Sequence, residues 1–239
     1  MGVATLVHAI FAVHFWFGCY YDWFHVRIPK NESEQMGFSF GNTEKLKFLT
    51  FWNALLQGLF FSICLLNDIV GTNEPNPKNT PIIRKVKDTL FASLAFPLSM
   101  FVGLTFWGLY AVDRELVFPK VLDKYFPVWL NHVMHTNIMI FVFIEMIMNF
   151  RSYPKRKTGI SILAAFMACY LVWIHIIHHY SGIWVYPVLE VLNLPLRIVF
   201  FAALLVLIVF MYLLGEGLNN ILWSNQIKAV KSNKAKKRH

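Results

Sequence analysis

Thr50, Asn53 and Gln57 stand at i, i+3 and i+7, on one face of a helix inside an apolar run. Asn131, His132 and His135 occupy adjacent turns of a second run, and His175, His178 and His179 the last turns of a third. His14 lies in the matching half of the first run. Two chemistries can use such a set. A threonine hydroxyl becomes a nucleophile when a base removes its proton, and burial favours the neutral imidazole that a general base requires. Clustered imidazoles also suit iron or zinc.

Each residue has a plainer reading. A threonine in a membrane helix commonly bonds its own i−4 carbonyl. A lone histidine is commonly interhelical glue, at roughly 0.6 kcal/mol per bond. His132, His135, His175, His178 and His179 together at one end of one bundle are harder to dismiss. For metal chemistry, His175-Ile-Ile-His178-His179 has the HxxHH spacing of membrane desaturase and hydroxylase boxes, with His132 and His135 as a further i, i+3 pair. The first box of those enzymes is missing, and their cluster belongs on the cytosolic face.

The elements that must hold these residues follow from composition. Of 239 residues only 15% are charged, against roughly 25% in soluble domains, while 23 are Phe and 8 Trp. Too little polar surface exists to cover that core in water. A soluble enzyme, a disulfide scaffold and a disordered chain are excluded. Six apolar runs, near 3–21, 48–70, 89–111, 127–149, 158–179 and 196–216, are each long enough to cross about 30 Å of hydrocarbon. None alternates with period two. The expected fold is all-α: a single six-span polytopic bundle over 1–225, followed by a basic tail over 226–239. Pro97 inside the third run predicts a kink. The first run has no Lys or Arg before it and is too long for the core of a signal peptide, so it is expected to stay in the mature protein.

With six spans both termini share a side. That side collects fourteen Lys and Arg and the other eight, which predicts cytosolic termini. The net charge of +9 then reads as topology and attraction of anionic lipid by the tail Lys228–Arg238. That tail lacks the interleaved aromatics of a nucleic-acid binder. Cys19, Cys64 and Cys169 lie in three different runs, without metal-knuckle or disulfide spacing, and are expected to be packing thiols. Thr50 falls about 3–5 Å and His135 about 12 Å below the non-cytosolic boundary, at a rise of 1.5 Å per residue. If their helices adjoin, hydroxyl and imidazole can meet there. Glu145 and Glu216 are deep carboxyls, expected to be protonated or paired in structural roles.

The stretch Lys47-Phe48-Leu49-Thr50-Phe51-Trp52-Asn53 resembles the second-span motif of the androgen-induced protein family. The resemblance continues, in order, through Asp113-Arg114-Glu115-Leu116, Trp129-Leu130-Asn131-His132-Val133-Met134-His135-Thr136, His178-His179, Trp184-Val185-Tyr186-Pro187 and Leu214-Gly215-Glu216 to Trp223. It covers roughly residues 46–225. It implies a six-span membrane hydrolase of fatty acid esters of hydroxy fatty acids, in the endoplasmic reticulum or plasma membrane, without cofactor or metal. It also implies a threonine nucleophile at Thr50 and a histidine partner at His135; spacing alone leaves His132 and His135 equal. On this reading Asn53 and Asn131 are the expected oxyanion donors, and His178 or His179 orients the partner or seals the site. The lipid ester would enter laterally from the bilayer. The alternative on the same fold is a non-enzymatic scaffold or lipid-binding protein, with the polar cluster as interhelical glue.

Overall fold

The computed structural model describes residues 2–29 and 42–236. It contains six helices long and apolar enough to span a bilayer: α1 (Val3–His25), α2 (Leu49–Val70), α3 (Ile82–Val112), α4 (Val128–Met148), α5 (Arg156–Ser181) and α6 (Leu194–Leu222). A seventh, polar helix, α7 (Ser224–Lys236), follows α6. Short helical turns occupy the connections, at Asn42–Lys47, Arg114–Leu116, Lys120–Lys124 and Pro187–Val191. Among the described residues there is no strand, as expected where backbone groups must be satisfied inside lipid.

Helix α3 is central. In its most apolar stretch 72% of residues are buried, against 22% in α5 and α6, whose outward Val172, Val199 and Val206 are exposed as lipid-facing side chains are. Aromatic packing joins α1, α2 and α4: Phe11 stacks on Phe141 at 3.8 Å between centroids and meets Phe61 edge-on at 5.1 Å. Such pairs add about 0.5–1.5 kcal/mol each beyond their burial.

Two helices widen for one turn. In α3 the turn Phe91–Ala95 is π-helical, and the Phe96 amide donates back to the Phe91 carbonyl. Pro97 follows at once. Its ring cannot donate a helix bond and crowds the preceding turn, so the expected irregularity takes the form of a π turn. Gln57 Nε2 donates to the Ala95 carbonyl there (3.1 Å). The second π turn, Val133–Asn137 in α4, contains His135.

Helix α3 begins seven residues before its apolar run, because Ile82–Leu90 carries charges that the bundle buries. Arg84 donates to both oxygens of Asp88 at 2.9 and 3.0 Å and to the Thr72 and Phe150 carbonyls. Lys87 Nζ donates to Asn73 Oδ1 (2.6 Å). Beside them His8 bridges two helices, with Nδ1 2.5 Å from Asp68 Oδ2 and Nε2 2.8 Å from Glu145 Oε2. Glu145 also accepts from Asn149 (2.8 Å) and Arg151 (3.3 Å). The other deep carboxyl, Glu216, pairs with Arg156 at 2.8 Å near the surface. This ionic network fills the end of the bundle that carries the N-terminus. The histidine–threonine cluster occupies the opposite end.

Candidate functional site

Thr50 is the second residue of α2, and the start of that helix has an unusual cap. Its N-cap, Phe48, offers no side-chain acceptor. The first amide, Leu49 N–H, is instead shared by the hydroxyls of Tyr170 (2.9 Å) and Tyr186 (3.0 Å). Tyr170 donates its own proton to the Lys47 carbonyl (2.9 Å), so Tyr186 donates to Tyr170 across their 2.9 Å contact. Burial raises the pKa of the Tyr186 phenol and keeps it a donor. The indoles of Trp52 and Trp173 both donate to the Leu46 carbonyl, at 2.7 and 2.9 Å. The two phenols thus accept from a first-turn amide, as a Ser or Asp does at an N-cap, while the two indoles hold the Leu46 carbonyl just before it; together they fix the backbone around Thr50.

From α4, His135 Nε2 reaches Thr50 Oγ1 at 3.2 Å. The ring is 5% exposed and stacks on Phe106 at 3.5 Å between centroids. Its other nitrogen, Nδ1, faces two acceptors, Asn131 Oδ1 at 2.7 Å and the Asn131 carbonyl at 3.1 Å. Two acceptors there require a proton on Nδ1. In the neutral ring the Nε2 lone pair is therefore left to the Thr50 hydroxyl. π turns of this kind are frequent at functional sites, and this one also meets a glycine. A Cβ on Gly103 of α3 would stand 2.8 Å from the His135 carbonyl and 2.5 Å from Met139 Sδ. Gly103→Ala is expected to cost about 1–3 kcal/mol by overpacking, since a backbone carbonyl cannot swing aside. Thermal unfolding in detergent measures it.

The remaining candidates lie elsewhere. Asn131 faces the back of the imidazole and not the Thr50 hydroxyl. Asn53 is fully buried, accepts from Gln57 (3.1 Å), and has no partner for its Nδ2 among the described residues. His132 is exposed and bonds Thr136 (3.1 Å). His178 stacks on Trp184 at 4.0 Å, His179 lies against Tyr180, and His175 bonds the Leu171 carbonyl. His14 bonds Asn137 (3.0 Å). The structure brings together Thr50, His135 and Asn131, and the HxxHH histidines join neither that trio nor His132. Among the described residues, one group has metal-ligand geometry: His8, Cys64 and Glu145, within 4.8 Å of one another. It lies at the far end of the bundle, and both His8 nitrogens already bond carboxylates.

Two cavities meet at Thr50. One is lined by hydrocarbon and aromatic side chains of α3, α5 and α6, with Thr50, Tyr170 and Tyr186 at its polar end. The other, wider one is lined by His135, by Phe118 and Phe126, and by the charged groups of Asp22, Arg27 and Lys45. Burial lowers the Lys45 pKa, and the Asp22 carboxylate at 2.5 Å opposes that shift. Thr50, Phe106, Val117 and Tyr186 line both cavities.

Tyr170 and Trp173 are the supporting residues that sequence reasoning missed. Trp52 and Tyr186 were legible as parts of motifs, without a role.

The chain matches the FAR-17a/AIG1-like protein family over residues 3–220. It is 40% identical over 196 residues to the androgen-induced gene 1 protein of Homo sapiens, covering 80% of this chain and 82% of that one. To the androgen-dependent TFPI-regulating protein of Mus musculus it is 39% identical over 201 residues, or 84% and 86% of the two chains. A membrane protein of Schizosaccharomyces pombe is 25% identical over 149 residues, 61% of this chain and 65% of that one. No solved structure matches.

Proposed function

The chain belongs to the FAR-17a/AIG1-like family of integral membrane proteins, and from that premise we propose that it hydrolyses lipid esters, fatty acid esters of hydroxy fatty acids among them, with Thr50 as nucleophile and His135 as base. The observation that carries this reading is the relay Thr50 Oγ1–His135 Nε2–His135 Nδ1–Asn131 Oδ1, at 3.2 and 2.7 Å. A threonine bonding its own helix would not need a histidine whose tautomer is set from behind.

The chemistry then runs in two halves. His135 Nε2 takes the Thr50 proton as Oγ1 attacks the ester carbonyl, and the carbonyl electrons move onto oxygen. The Thr50 amide belongs to the first turn of α2, where no helix carbonyl can reach it, and it sits at the positive end of the helix dipole. We assign the oxyanion to that amide and not to Asn53 or Asn131. Collapse of the intermediate expels the alcohol, which takes the proton from Nε2, and leaves the acyl group on Thr50. Water then gives its proton to His135 and its oxygen to the acyl carbon. The fatty acid leaves, and Thr50 recovers its hydrogen. Asn131 is a positioning residue throughout, since it holds Nδ1–H and stabilises the imidazolium that forms in each half, as the acid of a serine triad does. Lys45 and Asp22, paired with each other, line the wider cavity.

Fluorophosphonate labelling tests the assignment. A fluorescent probe is expected to modify Thr50 in the purified protein, as read by peptide mass spectrometry. The label should be absent from Thr50→Ala and strongly reduced in His135→Ala. Labelling at another residue, or none, would remove the threonine mechanism.

A further inference from the structure

We infer that the ester lies across Thr50 in one direction only, with the acyl chain in the apolar cavity of α3, α5 and α6 and the alcohol half in the wider cavity that His135 lines. The inference rests on the hydrolase reading and adds its polarity. Thr50 lines both cavities, but His135 lines one. The proton that His135 takes from Thr50 must go to the oxygen of the departing alcohol, so that oxygen has to face Nε2. The leaving half therefore projects into the wider cavity. The acyl half stays bonded to Thr50 and is directed to the other side.

Phe106 makes the division physical. Its ring lines both cavities and stacks on the imidazole at 3.5 Å, which walls His135 off from the apolar side. The linings agree with the assignment. The acyl cavity has no charged side chain in its wall, and it runs down to Met167 and Leu204, with the exposed, lipid-facing Leu205 at its margin. The alcohol cavity holds Asp22, Arg27 and Lys45, so it can be wet. That is also what the second half-reaction needs. Water must reach His135 after the alcohol leaves, and it enters by the space the alcohol vacates while the acyl chain stays in place.

Two ester series separate the halves. In the first, p-nitrophenyl butanoate, octanoate and palmitate vary the acyl chain at a fixed leaving group. In the second, butanoates of short and long alcohols vary the leaving group. A single methylene in or out of an apolar pocket changes kcat/KM by roughly 10–200-fold. Met167→Trp, which blocks the deep end of the acyl cavity, is expected to lower the palmitate-to-butanoate ratio by at least about tenfold. Leu122→Trp, in the wall of the other cavity, is expected to lower the long-to-short ratio of the alcohol series instead. Exchange of the two effects, or unmoved ratios in folded variants, would overturn the polarity.

The wild-type protein gives a readout independent of folding defects. A palmitate p-nitrophenyl ester with a terminal diazirine should crosslink, from the acyl-enzyme, to the neighbourhood of Met167 and Leu204. Crosslinks at Leu122 or Phe126 would refute the assignment. Wild-type protein with no Thr50-dependent hydrolysis in either series would instead defeat the hydrolase reading, and the inference with it.

Discussion

Thr50→Ala and His135→Ala are each expected to lower kcat by at least about a thousandfold, and the double variant by no more than the worse single one. The two side chains perform one act, the transfer of a proton while a bond forms, so removing either removes the act. Their effects on rate therefore do not add. Thr50→Ser keeps the hydroxyl at 3.2 Å from Nε2 and loses only a methyl, so measurable activity should remain. His175→Ala is the matched control, because that ring is exposed and bonds its own helix at Leu171. The Thr50–His135 hydrogen bond is worth only about 1 kcal/mol to the fold, so the Thr50 variants should insert and unfold near the wild-type temperature, and His135→Ala, which also loses the stack on Phe106, somewhat below it. Steady-state hydrolysis of a lipid-ester panel by purified variants makes the measurement. Full turnover in a well-expressed Thr50→Ala protein would end the threonine assignment and favour the scaffold alternative.

How much of this was legible depended on whether a residue's role is local. Apolar runs located all six spans, since crossing lipid is a property of about twenty consecutive side chains. The ends that shifted were those where charge interrupts the run. Helix α3 starts at Ile82 because Arg84 and Asp88 neutralise each other on one face, and α6 continues to Leu222 past Glu216 because Arg156 meets it. At the site, counting rise per residue placed Thr50 and His135 in the same half of the bilayer, which a bond between two helices requires. It could not say what stands behind the imidazole. The ring lies in the π turn Val133–Asn137 and meets both acceptors of Asn131, and no residue type announces such a turn. The cap from Tyr170 and Tyr186 joins residues more than a hundred positions away from Leu49. The histidines failed as a cluster for the converse reason. Shared depth is not shared direction, and aromatic partners such as Trp184 hold His175 and His178 away from His135.

Glu145→Ala should be the most destabilising single change in the bundle, at about 3–5 kcal/mol, while its effect on catalysis is limited to the loss of folded protein. Glu145 is 1% exposed, and its carboxylate bonds two buried basic side chains. His8, fully buried, bonds it at 2.8 Å and Asp68 at 2.5 Å. Arg151, 2% exposed, bonds it at 3.3 Å and holds its guanidinium 3.4 Å above the Phe91 ring. Removing the carboxylate takes the charged partner from buried basic groups, and breaking one side of a buried pair costs far more than the pair contributes over an apolar substitute. Glu145→Gln keeps an acceptor for His8 and should lose less. Glu216→Ala is the contrast: its partner Arg156 is 63% exposed, so the cost should stay within about 1 kcal/mol. Thermal unfolding of the three variants in one detergent gives the order directly. An order in which Glu145→Ala matches Glu216→Ala would mean that the network around His8 does not hold α1, α2 and α4 together. Paired with the Thr50 series, the measurement separates the two polar ends of the molecule, one expected to lose rate without stability and the other stability without chemistry.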